Sequence, residues 1–215
     1  MENNNFTAYQ FENYDVEGLK LEINFSNTDF IEIKTHEEIN LPIENIEESF
    51  EPLLFGIDMN ITNIKNINDL KGKKMILLDG HHRYEYLKRN DIDKSIELVL
   101  ISIDDVEILS YPSRLIIRKK EFEEILENYN FSNNVSSKFY VSVDDVKFFN
   151  EEILDIYQLY EFKNFCYVNK YISSAVDEHQ ANDEIIVNFT PIKVSEIVEN
   201  DSLFPPKSTW ITPRL

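Results

Sequence analysis

The chain has 215 residues, of which 42% are hydrophobic and 13% aromatic, enough for a packed core in one large domain or two small ones. It carries 40 acidic and 21 basic residues, so its formal net charge is −19. Nucleic-acid binders use a basic stripe to neutralise phosphates, whereas the densest basic stretches of this chain, 71–74 and 118–120, are short. The single cysteine excludes an internal disulfide and a multi-cysteine zinc site.

The amino terminus is polar and acidic, without the basic start and apolar run of a signal peptide. No apolar run approaches the roughly 20 residues that a membrane helix needs. We therefore expect a cytoplasmic protein that binds neither nucleic acid nor membrane.

The first part of the chain carries strand patterns. Residues 19–25 and 29–34 alternate apolar and polar side chains, which predicts an antiparallel hairpin joined at residues 26–28. Residues 38–46 are predicted to be extended with a turn at Pro42. Residues 47–57 fit either a short helix or a loop.

A strand, a helix and a second strand are predicted next. Residues 73–79 form a nearly continuous apolar run that ends in Asp-Gly, the profile of a buried strand. Residues 81–90 have helical spacing, with Tyr84 and Leu87 three positions apart. A further strand over 95–103 completes the order that is typical of a βαβ unit.

The second half of the chain mixes helices and strands. Helices are predicted over 119–129 and 193–200, strands over 138–143 and 184–189, and a region of mixed character over 151–168. Because strands and helices neither alternate cleanly nor segregate, we predict an α+β (mixed α/β) fold.

The predicted strand-to-helix turn concentrates rare residues. The chain has four histidines and four glycines, and Gly80, His81 and His82 are three of these eight. Gly80 allows a positive φ or a close approach to a ligand. The first N–H groups of the helix lack intrahelical partners and carry the positive end of its dipole, which favours a phosphate. The two histidines can donate hydrogen bonds or bind a metal, and Arg83 suits phosphate oxygens.

Asp79 lies at the carboxyl end of the predicted strand, where α/β folds commonly bind ligands. It could hold Mg²⁺ on a nucleotide or act as a base. The structural alternative is that Asp79 caps the helix, Gly80 makes the turn and the histidines lie on the surface. The combination Asp-Gly-His-His-Arg favours the phosphate site.

The stretch DGHHRYEYLKRN, residues 79–90, resembles the signature of the ParB/sulfiredoxin-like superfamily, whose members carry Asp-Gly-x-His-Arg at this turn and bind nucleotide phosphates there. Sulfiredoxins use a catalytic cysteine where this chain has His81, and Cys166 lies far along the chain. ParB proteins bind CTP and DNA, and they carry a helix-turn-helix domain and basic surfaces. Neither is visible in this acidic sequence. The free-serine kinases remain, which transfer a phosphoryl group from ADP or ATP to the hydroxyl of L-serine.

A second similarity to the free-serine kinases precedes the turn. LPIENI and EESFEP, residues 41–46 and 47–52, are similar to the family's V-P-V-x-x-I strand and its H-E-T-F-E-P-like segment. The resemblance places the catalytic glutamate on Glu48, as a general base that takes the proton from the substrate hydroxyl. Glu51 is a reserve candidate, and an ordinary surface glutamate is the alternative.

The tail FPPKSTWITPRL, residues 204–215, is similar to the ending of a widespread family of uncharacterised bacterial and archaeal proteins. That family also carries DGHHRYE and ends in a P-x-K-S-T-x-F-x-P-K-like motif. Lys207, Ser208 and Thr209 offer a charge and two hydroxyls that can hold a carboxylate or phosphate. The resemblance implies that they bind substrate, together with Arg114, the retained arginine of the family's Thr-His-Arg motif. A solvent-exposed tail is the alternative.

The resemblance implies a ParB/sulfiredoxin-like nucleotide-binding core over residues 1–118 and an α+β region over 119–215 that closes the substrate pocket. It also implies a Mg²⁺-dependent kinase that uses ATP or ADP. Glu48 and Asp79 would serve catalysis, Asp79 also the metal, and residues 80–83 the donor phosphates. A nucleotide-binding regulatory module without turnover and a hydrolase of nucleotides or phosphoesters are the alternatives. The other two histidines are expected on the surface; they are His36 and His179.

Overall fold

The structure is a computed structural model that describes residues 6–24, 31–39, 51–90, 95–175 and 184–215. The chain splits into two compact units, and each is assembled from separated segments. Unit 1 comprises residues 1–107, 194–203 and 211–215, and unit 2 comprises residues 108–193 and 204–210. The domain boundary expected after residue 118 stays a prediction.

Unit 1 contains a six-stranded mixed sheet with the order β1-β2-β6-β4-β5-β3. Its central strand β4 is fully buried and runs antiparallel to β5 and parallel to β6, while β5 runs parallel to β3. The strands are β1 Thr7–Gln10, β2 Glu17–Asn24, β3 Glu32–Lys34, β4 Leu53–Ile57, β5 Lys74–Asp79 and β6 Ser95–Ser102.

Helix α1, His81–Arg89, joins β5 to β6 and buries Tyr84 against the sheet's hydrophobic core. Short 3₁₀ turns at Ile61–Asn63 and Ile67–Leu70 connect β4 to β5. Their apolar residues pack on the same core, whose centre is formed by Leu53, Phe55, Leu70, Leu77, Leu98 and Leu100.

Unit 2 contains a five-stranded sheet with the order β10-β9-β12-β8-β11, and its recorded strand pairs are all antiparallel. The strands are β8 Ser113–Leu115, β9 Tyr140–Val143, β10 Val146–Phe149, β11 Ile172–Ser174 and β12 Ile186–Phe189. A separate two-stranded pair is formed by β7 Glu107–Ser110 and β13 Thr209–Thr212.

Three further helices are α2 Lys119–Asn128, α3 Ile156–Val168 and α4 Val194–Glu199. Helix α3 is apolar around most of its surface, as expected for a helix buried in a core, and it begins at Asp155, whose carboxylate accepts a hydrogen bond from Gln158 N. Helix α4 belongs to unit 1. Within the described ranges, no helix combines the length and the apolar character that crossing a membrane requires.

The observed elements confirm the predicted α+β class. The strands predicted over 73–79, 95–103, 138–143 and 184–189 and the helices predicted over 81–90, 119–129 and 193–200 are all present, with boundaries shifted by at most two residues. The mixed region over 151–168 is mainly helix α3.

The predicted hairpin between residues 19–25 and 29–34 is wrong. Strand β2 pairs antiparallel with β1 and β6, with Leu21 opposite Leu98, whereas β3 pairs parallel with β5 at the far edge of the sheet. Alternation fixes which face of a strand is apolar, but it does not choose the partner strand. The expected turn at residues 26–28 lies outside the described residues.

Two other expectations need correction. Residues 53–57 form a buried strand, not a helix or loop, because LLFGI is a continuous apolar run like that of β5. Strands β5 and β6 flank β4 and run antiparallel to each other, so β5-α1-β6 is not a parallel βαβ crossover. Of the extended segment expected over 38–46, residues 40–46 with the turn at Pro42 lie outside the described residues.

Candidate functional site

The predicted phosphate turn forms where β5 ends and α1 begins. Asp79 is the last residue of β5 and lies opposite Leu54 of β4. Gly80 is the N-terminal cap residue of α1, with φ 88° and ψ 24°. The Gly80 N–H donates to Asp79 Oδ1 at 2.9 Å, so the carboxylate is held at the mouth of the turn.

Glycine is required at position 80 for two reasons. A positive φ of this size is costly for residues with a Cβ. A Cβ there would also lie 2.5 Å from Leu53 Cδ2 and 3.0 Å from Arg83 Nη2. The backbone turn and the guanidinium of Arg83 are therefore packed directly against each other.

The first turn of α1 suits an anion. The Tyr84 N–H donates to Gly80 O at 2.9 Å, so the N–H groups of residues 81–83 have no intrahelical acceptor. The cap residue Gly80 has no side chain to bond to this end of the helix, and the first turn contains no acidic residue. The positive end of the helix dipole therefore favours an anion at this position.

Arg83 lies beside this turn and pairs with Glu51, with Arg83 Nη1 3.2 Å from Glu51 Oε2. The Arg83 side chain is 15% exposed and that of Glu51 is 77% exposed. An ion pair with such an exposed carboxylate contributes little to stability. The pair therefore orients the guanidinium at low cost and can be exchanged for a phosphate contact.

Arg214 is a site residue that the sequence reasoning missed. Its Nη2 lies 3.3 Å from Asp79 Oδ1, and both residues belong to unit 1. The available signal was the tail motif, because Arg214 falls on the basic residue that ends the P-x-K-S-T-x-F-x-P-K-like pattern. Asp79 therefore faces a cation supplied by the protein itself.

His36 was expected on the surface, and this prediction is wrong. The side chain is buried, at 1% exposure, just beyond the end of β3. Its Nδ1 lies 2.9 Å from Leu77 O and 3.3 Å from His81 Nε2, and the two rings meet edge to face. No local sequence signal reveals this contact, because it depends on β3 pairing with β5.

The histidines at the turn are held neutral. Burial, and then the neighbouring His82, lower the pKa of His81 to about 4. Burial and the adjacent His81 lower the pKa of His36 well below its ordinary value, and the Leu77 carbonyl opposes this shift only in part. Burial also lowers the pKa of His82. At neutral pH these rings are hydrogen-bonding groups, not cations.

The donor set at the turn fits one kind of metal site. Among the residues that the structure describes, no three His, Cys, Asp or Glu side chains are grouped to hold a metal ion. Mg²⁺ commonly binds through one or two carboxylates plus the phosphates of a nucleotide, and it keeps several waters. The Asp79 carboxylate, at the end of β5, is consistent with Mg²⁺ carried by a nucleotide.

The predicted substrate-binding trio lies in unit 2, where its groups are used differently. Ser208 is 1% exposed and its hydroxyl donates to Pro205 O at 2.6 Å. Thr209 is also buried and begins β13. Lys207 is exposed and has a positive φ of 59°. Of the three side chains, that of Lys207 is presented to solvent.

A buried lysine, Lys163, holds the loop at residues 207–209 by hydrogen bonds. Lys163 of α3 is 1% exposed, and its Nζ donates to Ser110 Oγ at 3.1 Å, Tyr111 O at 3.0 Å and Ser208 O at 3.2 Å. The Tyr111 N–H also donates to Ser208 O at 2.9 Å. Three donated hydrogen bonds satisfy a buried ammonium, so Lys163 has a structural role in holding the loop.

Arg114 is committed to the sheet of unit 2. Its Nε donates to Ser173 Oγ at 2.9 Å, and its Nη1 lies 2.8 Å from Glu184 Oε1. It also lines a cleft of about 370 Å³ together with Lys170 and Lys207. Further polar side chains that line this cleft are those of Tyr167, Ser173 and Ser174. This cleft, the cationic cleft, brings Arg114 and Lys207 to one surface of unit 2.

Three residues named in the sequence analysis remain to be placed. Glu48 lies outside the described residues, as does His179, so the base assignment stays a prediction. Cys166 is buried in α3, and burial raises the pKa of its thiol to about 12. A thiol with such a pKa is protonated at neutral pH and is a poor nucleophile.

No family profile matches the chain, and no curated protein matches its sequence. Solved structures do match its fold. SbnI with a C-terminal truncation, from Staphylococcus aureus, is 13% identical with a TM-score of 0.57, over 91% of this chain and 84% of that one. A free serine kinase in complex with AMP is 16% identical with a TM-score of 0.52, over 95% and 90% of the two chains.

A mutant of free serine kinase in complex with ADP is 15% identical with a TM-score of 0.53, over 95% of this chain and 91% of that chain. The chain has the α+β fold of these proteins. The fold expected from the resemblance is thereby confirmed. Identities of this size establish the fold alone, and the roles of individual residues stay predictions.

Proposed function

We propose that this protein is a small-molecule kinase that transfers a phosphoryl group from ATP or ADP to the hydroxyl of free serine or a related small metabolite. The proposal is supported chiefly by its fold, which it shares along 95% of its length with free serine kinases bound to AMP or ADP. The anion-binding geometry of the turn at residues 79–83 is a second support.

The turn would hold the donor phosphates. The N–H groups of residues 81–83 point out of α1 without intrahelical acceptors, and the guanidinium of Arg83 is packed against Gly80. His81 and His82 add neutral hydrogen-bond donors, because burial lowers their pKa values. Phosphoryl transfer depends mainly on positioning and charge neutralisation, and these groups supply both.

Asp79 would hold Mg²⁺ together with the nucleotide phosphates. The ion would neutralise charge that develops on the phosphate oxygens. The carboxylate lies at the end of β5 and receives the Gly80 N–H and the Arg214 guanidinium on Oδ1. Arg214 would occupy Asp79 when no metal is bound and would contact the phosphates when the metal displaces it.

Glu48 would act as general base. In the proposed step the acceptor hydroxyl loses its proton to the Glu48 carboxylate while its oxygen forms the new bond to phosphorus. The bond from phosphorus to the nucleotide oxygen breaks, and the shorter nucleotide leaves with that oxygen. Glu51 is the reserve base, and its contact with Arg83 associates it with the turn.

The acceptor's anionic group would bind in unit 2. Arg114, Lys170 and Lys207 place three cationic side chains around the cationic cleft, in a chain whose net charge is −19. A free amino acid carries a carboxylate, which pairs well with arginine and lysine. Lys207 is the exposed member of the predicted trio, so we assign the carboxylate contact to Lys207 and a supporting role to Ser208 and Thr209.

The test is ³¹P NMR of the purified protein with Mg²⁺, ATP or ADP, and a pool of hydroxyl-bearing amino acids and small alcohols. We expect a new phosphomonoester signal that is absent with Glu48→Gln and retained with the neighbouring control Glu47→Gln. A signal from inorganic phosphate without a new phosphomonoester would show that the protein is a nucleotide hydrolase and not a kinase. Nucleotide binding without turnover for every acceptor would favour a regulatory binding module.

A further inference from the structure

The buried pair His36 and His81 has a defined hydrogen-bond direction. A neutral imidazole carries one proton, on Nδ1 or on Nε2, and the nitrogen without it accepts. His36 Nδ1 lies 2.9 Å from Leu77 O. Because a carbonyl oxygen only accepts, the proton of His36 must be on Nδ1.

This direction is passed on to His81. Its Nε2 lies 3.3 Å from the same Nδ1 of His36. That atom already carries a proton, so His81 Nε2 must accept a share of it. The proton of His81 is then on its other nitrogen, Nδ1. A ring nitrogen that accepts carries no proton, so the contact itself requires a neutral His81 ring.

The proton on His81 Nδ1 is available to a ligand at the start of α1. Nδ1 is bonded to Cγ and is the ring nitrogen nearer to the main chain. The N–H bond at Nδ1 points away from Nε2 and so away from His36, and His81 is the first residue of α1, whose opening N–H groups have no intrahelical acceptors. The opposite tautomer would direct a lone pair toward an anion bound there and repel it.

We propose that His36 is a positioning residue that fixes His81 as an Nδ1–H donor to a phosphate oxygen bound at the turn. The inference rests on the proposed nucleotide binding for its ligand, but the tautomer is independent of any ligand. His36 contacts the phosphate only through His81. Its role parallels that of carbonyls and carboxylates that orient functional histidines in other sites.

The first measurement is the tautomer in the nucleotide-free protein. Long-range ¹H–¹⁵N correlation spectra at neutral pH distinguish a protonated ring nitrogen from a bare one, and His81→Gln assigns the His81 signals. We expect the proton of His81 on Nδ1. A proton on Nε2 of His81 would overturn the proposal regardless of what the protein binds.

The second measurement separates positioning from a structural role. His36→Asn places an amide nitrogen with two hydrogens near the original Nδ1, so it can donate to both Leu77 O and His81 Nε2. His36→Phe fills the space and donates to neither. We expect the Phe variant to show mixed tautomers at His81 and to bind AMP and ADP about tenfold more weakly. The Asn variant should retain the tautomer and most of the affinity.

Thermal unfolding of both variants establishes that the measured protein is folded. A folded His36→Phe variant that binds ADP as tightly as the wild type would overturn the positioning role. If the wild type shows the expected tautomer but binds neither AMP nor ADP, the proposed function fails. A nucleotide phosphate is then not the hydrogen-bond acceptor of His81 Nδ1–H. The histidine relay itself would still be established by the spectra.

Discussion

The turn at residues 79–83 and the loop at residues 207–209 each combine a cationic side chain with hydrogen-bonding side chains, but they use them differently. At the turn, the helix amides have no intrahelical acceptor, and the Arg83 guanidinium pairs with a highly exposed carboxylate. At the loop, the Ser208 hydroxyl donates a hydrogen bond to Pro205 O, and the Ser208 carbonyl accepts hydrogen bonds from Tyr111 N and Lys163 Nζ.

The difference shows that residue type alone does not distinguish a candidate anion site from a loop whose polar groups are already hydrogen-bonded. The turn is built by backbone geometry at Gly80, so the amides of residues 81–83 are not used to hold it together. The loop is built by its own polar groups, which therefore have less left to offer a ligand. Mutations in the turn should affect binding, and most mutations in the loop should affect stability.

Gly80→Ala should have the largest effect. The alanine would have to adopt a positive φ, and its Cβ would lie 2.5 Å from Leu53 Cδ2. Together these two effects should lower the unfolding free energy by about 2 to 4 kcal/mol. Nucleotide binding should be lost with the turn geometry. Gly72→Ala is the matched control, because Gly72 has φ +70° but no atom within 4 Å of the added Cβ. Urea unfolding of both variants measures the contrast, and equal losses would contradict the packing at Gly80.

Arg83→Ala should weaken ADP binding about 30-fold, or about 2 kcal/mol, because a charge-assisted contact to phosphate is removed. Arg89→Ala is the control on the same helix, where the side chain is more exposed and pairs with Glu85. Calorimetric titration with ADP distinguishes them. Equal weakening in both variants would mean that only net charge matters.

Lys163→Met should lower the unfolding free energy by about 1.5 kcal/mol. Three hydrogen bonds from the ammonium are lost, but Tyr111 O and Ser208 O keep other donors, from Ser113 Oγ and Tyr111 N, so the penalty is moderate. ADP affinity should stay unchanged. Denaturant unfolding and ADP titration test the two halves, and a stable variant that no longer binds ADP would assign Lys163 to the ligand.

Ser208→Ala should cost about 1 kcal/mol of stability, because its buried hydroxyl bond to Pro205 O is lost. Lys207→Ala should leave stability unchanged, because the side chain is exposed, and should raise the KM for the acceptor. Thermal unfolding and acceptor kinetics on the pair test whether the loop divides in this way. A raised KM for both variants would place the Ser208 hydroxyl in the substrate site.

Arg214→Gln should have the smallest effect. Removing the cation 3.3 Å from Asp79 should let Mg²⁺ bind the ADP complex two- to threefold more tightly, or about 0.5 kcal/mol. Calorimetric titration of Mg²⁺ into the ADP-saturated protein measures this shift. Weaker Mg²⁺ binding in the variant would show that Arg214 assists the metal site instead of competing with it.

The sequence predicts the turn well because its determinants are local. The apolar run of β5, the glycine and the helical spacing of Tyr84 and Leu87 all act within fifteen residues of one another. The structure confirms the strand, the helix and the αL glycine between them. Whether Asp79 and Arg83 bind a nucleotide stays a prediction.

The neighbours of the turn could not be predicted, because they depend on pairing between distant strands. His36 reaches His81 only because β3 pairs parallel with β5, and alternation in residues 29–34 pointed to β2 instead. Arg214 reaches Asp79 from 135 positions away, and only a motif pointed to it. The burial of Lys163 in α3 had no local signal, because the same helix also carries polar residues that are not buried.

The segmented composition of unit 1 has a consequence for synthesis on the ribosome. Lys34 Nζ bonds to the carbonyls of Val198 and Asn200 and to Asp201 Oδ1, and Asp79 pairs with Arg214. The first 107 residues emerge long before these partners exist, although both sets belong to one unit. In the nascent chain, unit 1 therefore lacks these contacts beside β3 until residues beyond 193 have been translated. Its completion is a late event in chain growth, and a ribosome stalled after residue 193 should hold it in a more protease-sensitive state.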